Sequence, residues 1–126
     1  MRVIDTSAWI EYFLGSATGH RLTPEMPQRS ESIIPTIVQF ELAKWLARET
    51  TDDVADKAIA DTMKCILVDL DTKIALCGAD LAREHRLAVA DAIIYATALV
   101  YDAELLNCDA HFKDLPGVIY LAKAAK

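Results

Sequence analysis

Residues 3–7 read Val3-Ile4-Asp5-Thr6-Ser7, and the stretch that follows is Ala8-Trp9-Ile10-Glu11-Tyr12-Phe13-Leu14. Two β-branched apolar residues lead straight into a carboxylate and two hydroxyls, and the apolar residues Trp9, Ile10, Phe13 and Leu14 then recur at helical spacing. This predicts a short strand over Val3–Asp5, a helix over Ala8–Leu14, and a stop at Gly15. An acid at the end of a core strand demands a reason, because burying a carboxylate is costly unless a partner or a helix terminus receives it.

The same alternation continues along the chain. Ser32–Ile34, Ile66–Leu70, Leu105–Cys108 and Val118–Leu121 read as further strands. Between them, helices are expected from Thr36 to about Glu49, from Asp52-Asp53 to about Lys64, from Asp71 to about His85, and from about Ala90 onward. Thr36 with Gln39 three residues later reads as a capping box. Residues 16–30, with Gly19, Pro24 and Pro27, read as a loop with room for one short helix. Strands alternating with helices imply an α/β fold, a three-layer α/β/α sandwich on a central, mostly parallel sheet with right-handed crossovers. At 126 residues this is one domain, 1–126.

Composition removes several function classes. The chain is 53% hydrophobic and 25% charged, an ordinary globular mixture. Its most apolar stretch, 87–106, is interrupted by Asp91, Asp102 and Glu104, which excludes a membrane span. The N-terminus lacks the apolar core of a signal peptide, so a cytoplasmic protein with no membrane partner is expected. Cys65, Cys77 and Cys108 are odd in number and not closely paired, so they read as core residues rather than a disulfide or zinc framework. A net charge of −6 is awkward for binding nucleic acid unless something inverts the charge locally.

In open parallel sheets, ligands bind beyond the carboxyl ends of the strands. Asp5 ends the first strand and Asp109 follows the fourth, so both are expected at one rim. Asp91 opens a long apolar helix, and Glu41 lies within another between Phe40 and Leu42. Taken singly, Asp5 is equally a helix cap, Asp91 a favourable charge at a helix start, Glu41 part of a polar stripe, and Asp109 a turn residue. Taken together, four converging carboxylates repel one another unless a cation sits among them. Oxygen ligands without histidine or cysteine at metal-like spacing fit Mg²⁺ or Mn²⁺ better than Zn²⁺. A hard cation completed by water is equipment for phosphodiester hydrolysis, and it supplies the positive charge the chain lacks.

The ordered set Asp5-Thr6-Ser7 with Trp9-Ile10, helix-borne Glu41, Ala90-Asp91-Ala92-Ile93-Ile94 with Ala96-Thr97-Ala98, and Leu105-Leu106-Asn107-Cys108-Asp109-Ala110-His111-Phe112 resembles the motifs of PIN-domain nucleases. The short single-domain length resembles VapC-type toxins within that family. The resemblance implies a PIN-like fold and metal-dependent endonucleolytic cleavage of RNA. Asp5 and Asp91 match the acids that most directly hold the metal, and Glu41 and Asp109 complete the quartet. Thr6 and Ser7 match hydroxyl positions that orient a water or substrate oxygen, or else cap the helix. Asn107 stands where the family commonly has Thr or Ser, which alters the reach of a positioning group and leaves Asp109 as a second-metal or water-held ligand. A VapB-type antitoxin, a homodimer and an RNA substrate are the implied partners. A PIN-like module that only binds, and a housekeeping RNA-processing nuclease of the same superfamily, are the alternatives.

Other features have plainer readings. Asp69-Leu70-Asp71-Thr72 superficially resembles a phosphatase nucleophile motif, but Asp71 reads as a helix cap. His111 reads as a surface turn histidine, with RNA contact as the sharper alternative. Arg21, Arg29, Lys44, Arg48, Arg86 and Lys113 read as solvated surface. Trp9, Tyr12, Phe13, Phe40 and Trp45 read as core, with the first and third helices leaving an apolar groove for an antitoxin segment, as the family resemblance implies.

Overall fold

A computed structural model describes residues 1–124; Ala125 and Lys126, the end of the expected 1–126 domain, lie outside the described residues. Five strands form one sheet: β1 (Arg2–Ile4), β2 (Ser32–Pro35), β3 (Ile66–Val68), β4 (Glu104–Asn107) and β5 (Val118–Tyr120). Their order is β3-β2-β1-β4-β5, and every neighbouring pair is parallel. The sheet is therefore wholly parallel rather than mostly so. Val3, Ile4, Ile33, Ile34, Leu105 and Leu106 are all completely buried, as expected for strands covered on both faces.

Among the described residues six α-helices flank the sheet: α1 (Thr6–Leu14), α2 (Ala17–Leu22), α3 (Thr36–Glu49), α4 (Asp52–Thr62), α5 (Thr72–His85) and α6 (Val89–Val100). The topology has a consequence for function. From β1 the chain builds outward through β2 to β3, then returns to the other side of β1 with β4 and β5. The order reverses between β1 and β4, and a crevice opens at their carboxyl ends.

Local capping explains the boundaries. Asp5 is the N-cap of α1 rather than the last strand residue; its carboxylate accepts the Ser7 N–H at 3.2 Å, so the helix starts at Thr6. Gly15 closes α1 in the left-handed region, at φ 62°. The expected loop at residues 16–30 holds α2 and two 3₁₀ turns. Gly19 is required there, because a Cβ would collide with the Glu11 carbonyl oxygen. Asp71 caps α5 by accepting the Ile74 N–H at 2.9 Å.

Three local expectations are corrected. Pro35 precedes α3 with no side-chain cap, so Thr36 is already helical and there is no capping box; Gln39 instead donates to the Thr62 hydroxyl at 3.1 Å. Phe40 is not core but 65% exposed on the outer face of α3. Arg29 is not solvated surface: its guanidinium makes two bonds to the Asp61 carboxylate, at 3.1 and 2.8 Å, and lies over the Trp9 and Tyr12 rings. That fork clamps the segment before β2 onto α1 and α4.

Candidate active site

The site grows from two strand ends. The Asp5 N–H donates to the Leu106 carbonyl at 2.9 Å, which locks the exit of β1 to β4. The Ser7 hydroxyl donates to Asp5 Oδ2 at 2.6 Å and accepts the Cys108 N–H at 3.0 Å. One serine thus ties the first acid to the turn that carries the last. The Thr6 hydroxyl donates to Glu41 Oε1 at 2.8 Å, drawing the α3 acid toward the same crevice. Thr6 and Ser7 each hold one carboxylate, and the helix cap between them is Asp5 itself.

On the other side, Asp91 sits in the first turn of α6, where the helix dipole favours an anion. Asp109 follows β4, accepts the His111 N–H at 3.0 Å, and donates its own N–H to Asn107 Oδ1 at 2.9 Å. His111 Nδ1 lies 3.0 Å from Asp91 Oδ2 and 3.2 Å from Asp109 Oδ2. One ligand atom each from Asp91, Asp109 and His111 fall within 4.8 Å of one another. As the sequence suggests, His111 sits exposed in a turn, but its ring joins the acids. The available signal was its place two residues after the last acid and directly before Phe112, whose full burial anchors the turn.

Electrostatics join the two sides. Burial pushes the Asp5 carboxyl up to about 6; the Ser7 hydrogen bonds oppose this, while the charges of Asp91 and Glu41 reinforce it. Asp91 is raised by burial, tempered by the His111 hydrogen bond and reinforced by Asp109. Among the described residues no lysine or arginine pairs with Asp5, Glu41, Asp91 or Asp109. A buried carboxylate coupled to two others, with no basic partner, fits a divalent cation by its donor chemistry.

A PIN domain family model matches residues 2–118. The chain belongs to the PIN-domain family. Among solved structures it resembles a toxin–antitoxin complex from Klebsiella pneumoniae at 23% identity and a TM-score of 0.80, over 94% of this chain and 96% of that one. It resembles VapC20 of Mycobacterium tuberculosis, a toxin that cleaves the sarcin–ricin loop, at 18% identity and a TM-score of 0.76, over 94% and 97% of the two chains. A DNA-bound VapBC from Salmonella typhimurium matches at 18% identity and a TM-score of 0.71, over 96% of each chain. No curated protein sequence matches. At these identities the likeness is one of fold.

Proposed function

We propose that this chain is a divalent-cation-dependent endoribonuclease, the toxin of a VapBC-type toxin–antitoxin pair, acting in the cytoplasm as one domain. The observation that carries the reading is the electrostatic coupling of Asp5 to Asp91 and Glu41, and of Asp91 to Asp109, around the β1/β4 switch point, with no lysine or arginine paired to any of the four among the described residues. Asp5 and Asp91 would hold Mg²⁺ or Mn²⁺ most directly, with Glu41 and Asp109 completing the shell or holding its waters. A cation bound there would supply Lewis acidity toward a phosphate oxygen and would lower the pKa of a bound water. Thr6 and Ser7 keep Glu41 and Asp5 aimed into the crevice, and each hydroxyl retains a lone pair toward water or substrate. Asn107 fixes the Asp109 turn through the Asp109 N–H.

RNA is the proposed substrate, and a second copy of the chain and a VapB-type antitoxin are the proposed partners. A groove between α1 and α3, lined by Ile10, Phe40 and Trp45 together with Glu41, Lys44 and Arg48, supports the antitoxin assignment, because an occupant there meets Glu41. No helix among the described residues is long and apolar enough to cross a membrane. The test is RNA cleavage by the purified protein with Mg²⁺ or Mn²⁺, with chelator, and after Asp91→Asn. Cleavage that needs the cation and Asp91 upholds the reading, and cleavage indifferent to both overturns it. Growth arrest on expression, relieved by a co-expressed antitoxin, separates a toxin from a module that only binds.

A further inference from the structure

We propose that His111 is a nitrogen ligand of the cation site, which makes the site selective for cations that accept imidazole over Mg²⁺. The inference rests on the reading that Asp91 and Asp109 hold a divalent cation. Its basis is distance. Donors on neighbouring corners of an octahedral shell about 2.1 Å from the ion lie about 3.0 Å apart. Nδ1 of His111 stands 3.0 Å from one carboxylate oxygen and 3.2 Å from the other, each on a different residue and element. An imidazole nitrogen offers either one proton or one lone pair, and here it faces two acceptors at once. A small cation enclosed by the three atoms uses all of them.

The imidazole is placed by structure rather than by chance contact. The His111 N–H is bonded to Asp109 Oδ1, and the adjacent Phe112 is fully buried, so the turn is fixed at both residues. Its ring borders a cleft of about 240 Å³ shared with His85, Arg86, Leu87, Ala88 and Asp91, open for a hydrated ion to enter. Mg²⁺ keeps its waters and favours oxygen donors, whereas affinity at a mixed N/O site rises from Mn²⁺ toward Co²⁺ and Zn²⁺. An oxygen-only quartet would show a shallower order and no nitrogen donor.

The test is binding, independent of cleavage. Chelator-treated protein is titrated with Mn²⁺, Co²⁺ and Mg²⁺ by calorimetry, and the Mn²⁺ complex is measured by pulsed electron paramagnetic resonance. The expected result is nitrogen-14 coupling from a directly bound imidazole, lost in His111→Ala. With it, Co²⁺ and Mn²⁺ affinity falls about tenfold or more, and Mg²⁺ affinity about twofold or less. His111 is 65% exposed at its side chain, so the variant should melt with the parent protein, which calorimetry checks. Tight Mn²⁺ binding without nitrogen coupling, or equal losses for Mg²⁺ and Mn²⁺ in His111→Ala, overturns the inference and leaves the cation reading intact. Mn²⁺ binding unaffected by Asp91→Asn, or no binding at all, overturns the cation reading itself.

Discussion

The two sides of the crevice hold their acids in opposite ways. Asp5 is 4% exposed, and it and Glu41 are gripped by the hydroxyls of one dipeptide, Thr6-Ser7, which is itself the first turn of α1. Across from them, the Asp91 and Asp109 side chains are 18% and 34% exposed and share an imidazole from an open turn. The β1 side is thus set by neutral, partly buried donors around a buried acid, and the α6–β4 side by a group that solvent reaches. Preorganisation is concentrated where burial makes it costly, and exchange is left where water is already present.

Asp5→Asn probes the buried side most severely. It removes a charge the site needs but preserves a helix cap, since Asn caps as well as Asp. Cleavage is expected to fall more than about a hundredfold, beyond the usual loss from an outer-shell partner. Stability of the cation-free protein should move the other way. Asp5 is held up to about 6 from an ordinary 3.8, so the folded state binds this proton more tightly than the unfolded state. The stability this group contributes is therefore present below about pH 4 and is lost as pH rises through about 6, on the order of 3 kcal/mol. Asn should accordingly raise the melting temperature at pH 7 and leave it nearly unchanged at pH 4. A difference that does not vary with pH between the two proteins would break the comparison.

Ser7→Ala and Thr6→Val rank the two hydroxyls. Losing the Ser7 hydroxyl leaves Asp5 with only the residue-7 backbone N–H and strands the Cys108 N–H, at a cost of about 1–3 kcal/mol. Cation affinity, read by calorimetry, should fall by up to about a hundredfold. Thr6→Val keeps the shape and frees only the half-buried Glu41; a loss near tenfold in cleavage, with melting almost unchanged, is expected. If Thr6→Val were as destructive as Ser7→Ala, the buried acid would not be the one that most needs holding.

The same contrast decides what the sequence discloses. Elements with a strong local code are legible from it: Asp5 as a helix cap just past the first strand, Gly15 as a stop, Asp71 as a cap, and the strand–helix alternation that forces a parallel sheet. The acids were legible as candidates because each interrupts an apolar context. Their supports were not. That Ser7 reaches Cys108, or Arg29 reaches Asp61, depends on pairings across 101 and 32 residues, which no local period encodes. Phe40 misled because a helix face is assigned by its neighbours in space, and α3 turns that residue away from the sheet. His111 was hidden for the same reason: a turn histidine joins a cluster only once α6 brings Asp91 beside it.

Asn107 is the site of the smallest expected effect. It is completely buried at the end of β4; its oxygen accepts the Asp109 N–H, while its Nδ2 finds no partner among the described residues. An orphaned buried donor is destabilising, so part of what the accepting bond contributes is offset by the other end of the same amide. Threonine would keep an oxygen for the Asp109 N–H, remove the orphan, and suit a strand better. Asn107→Thr should thus raise the melting temperature slightly, by no more than about 1 kcal/mol in stability, and change cleavage about twofold or less. Because Asp109 lies on the open side, its turn should tolerate the exchange. A large loss of cleavage with the fold intact would mean that the amide nitrogen faces substrate, and that the open side is as firmly built as the buried one.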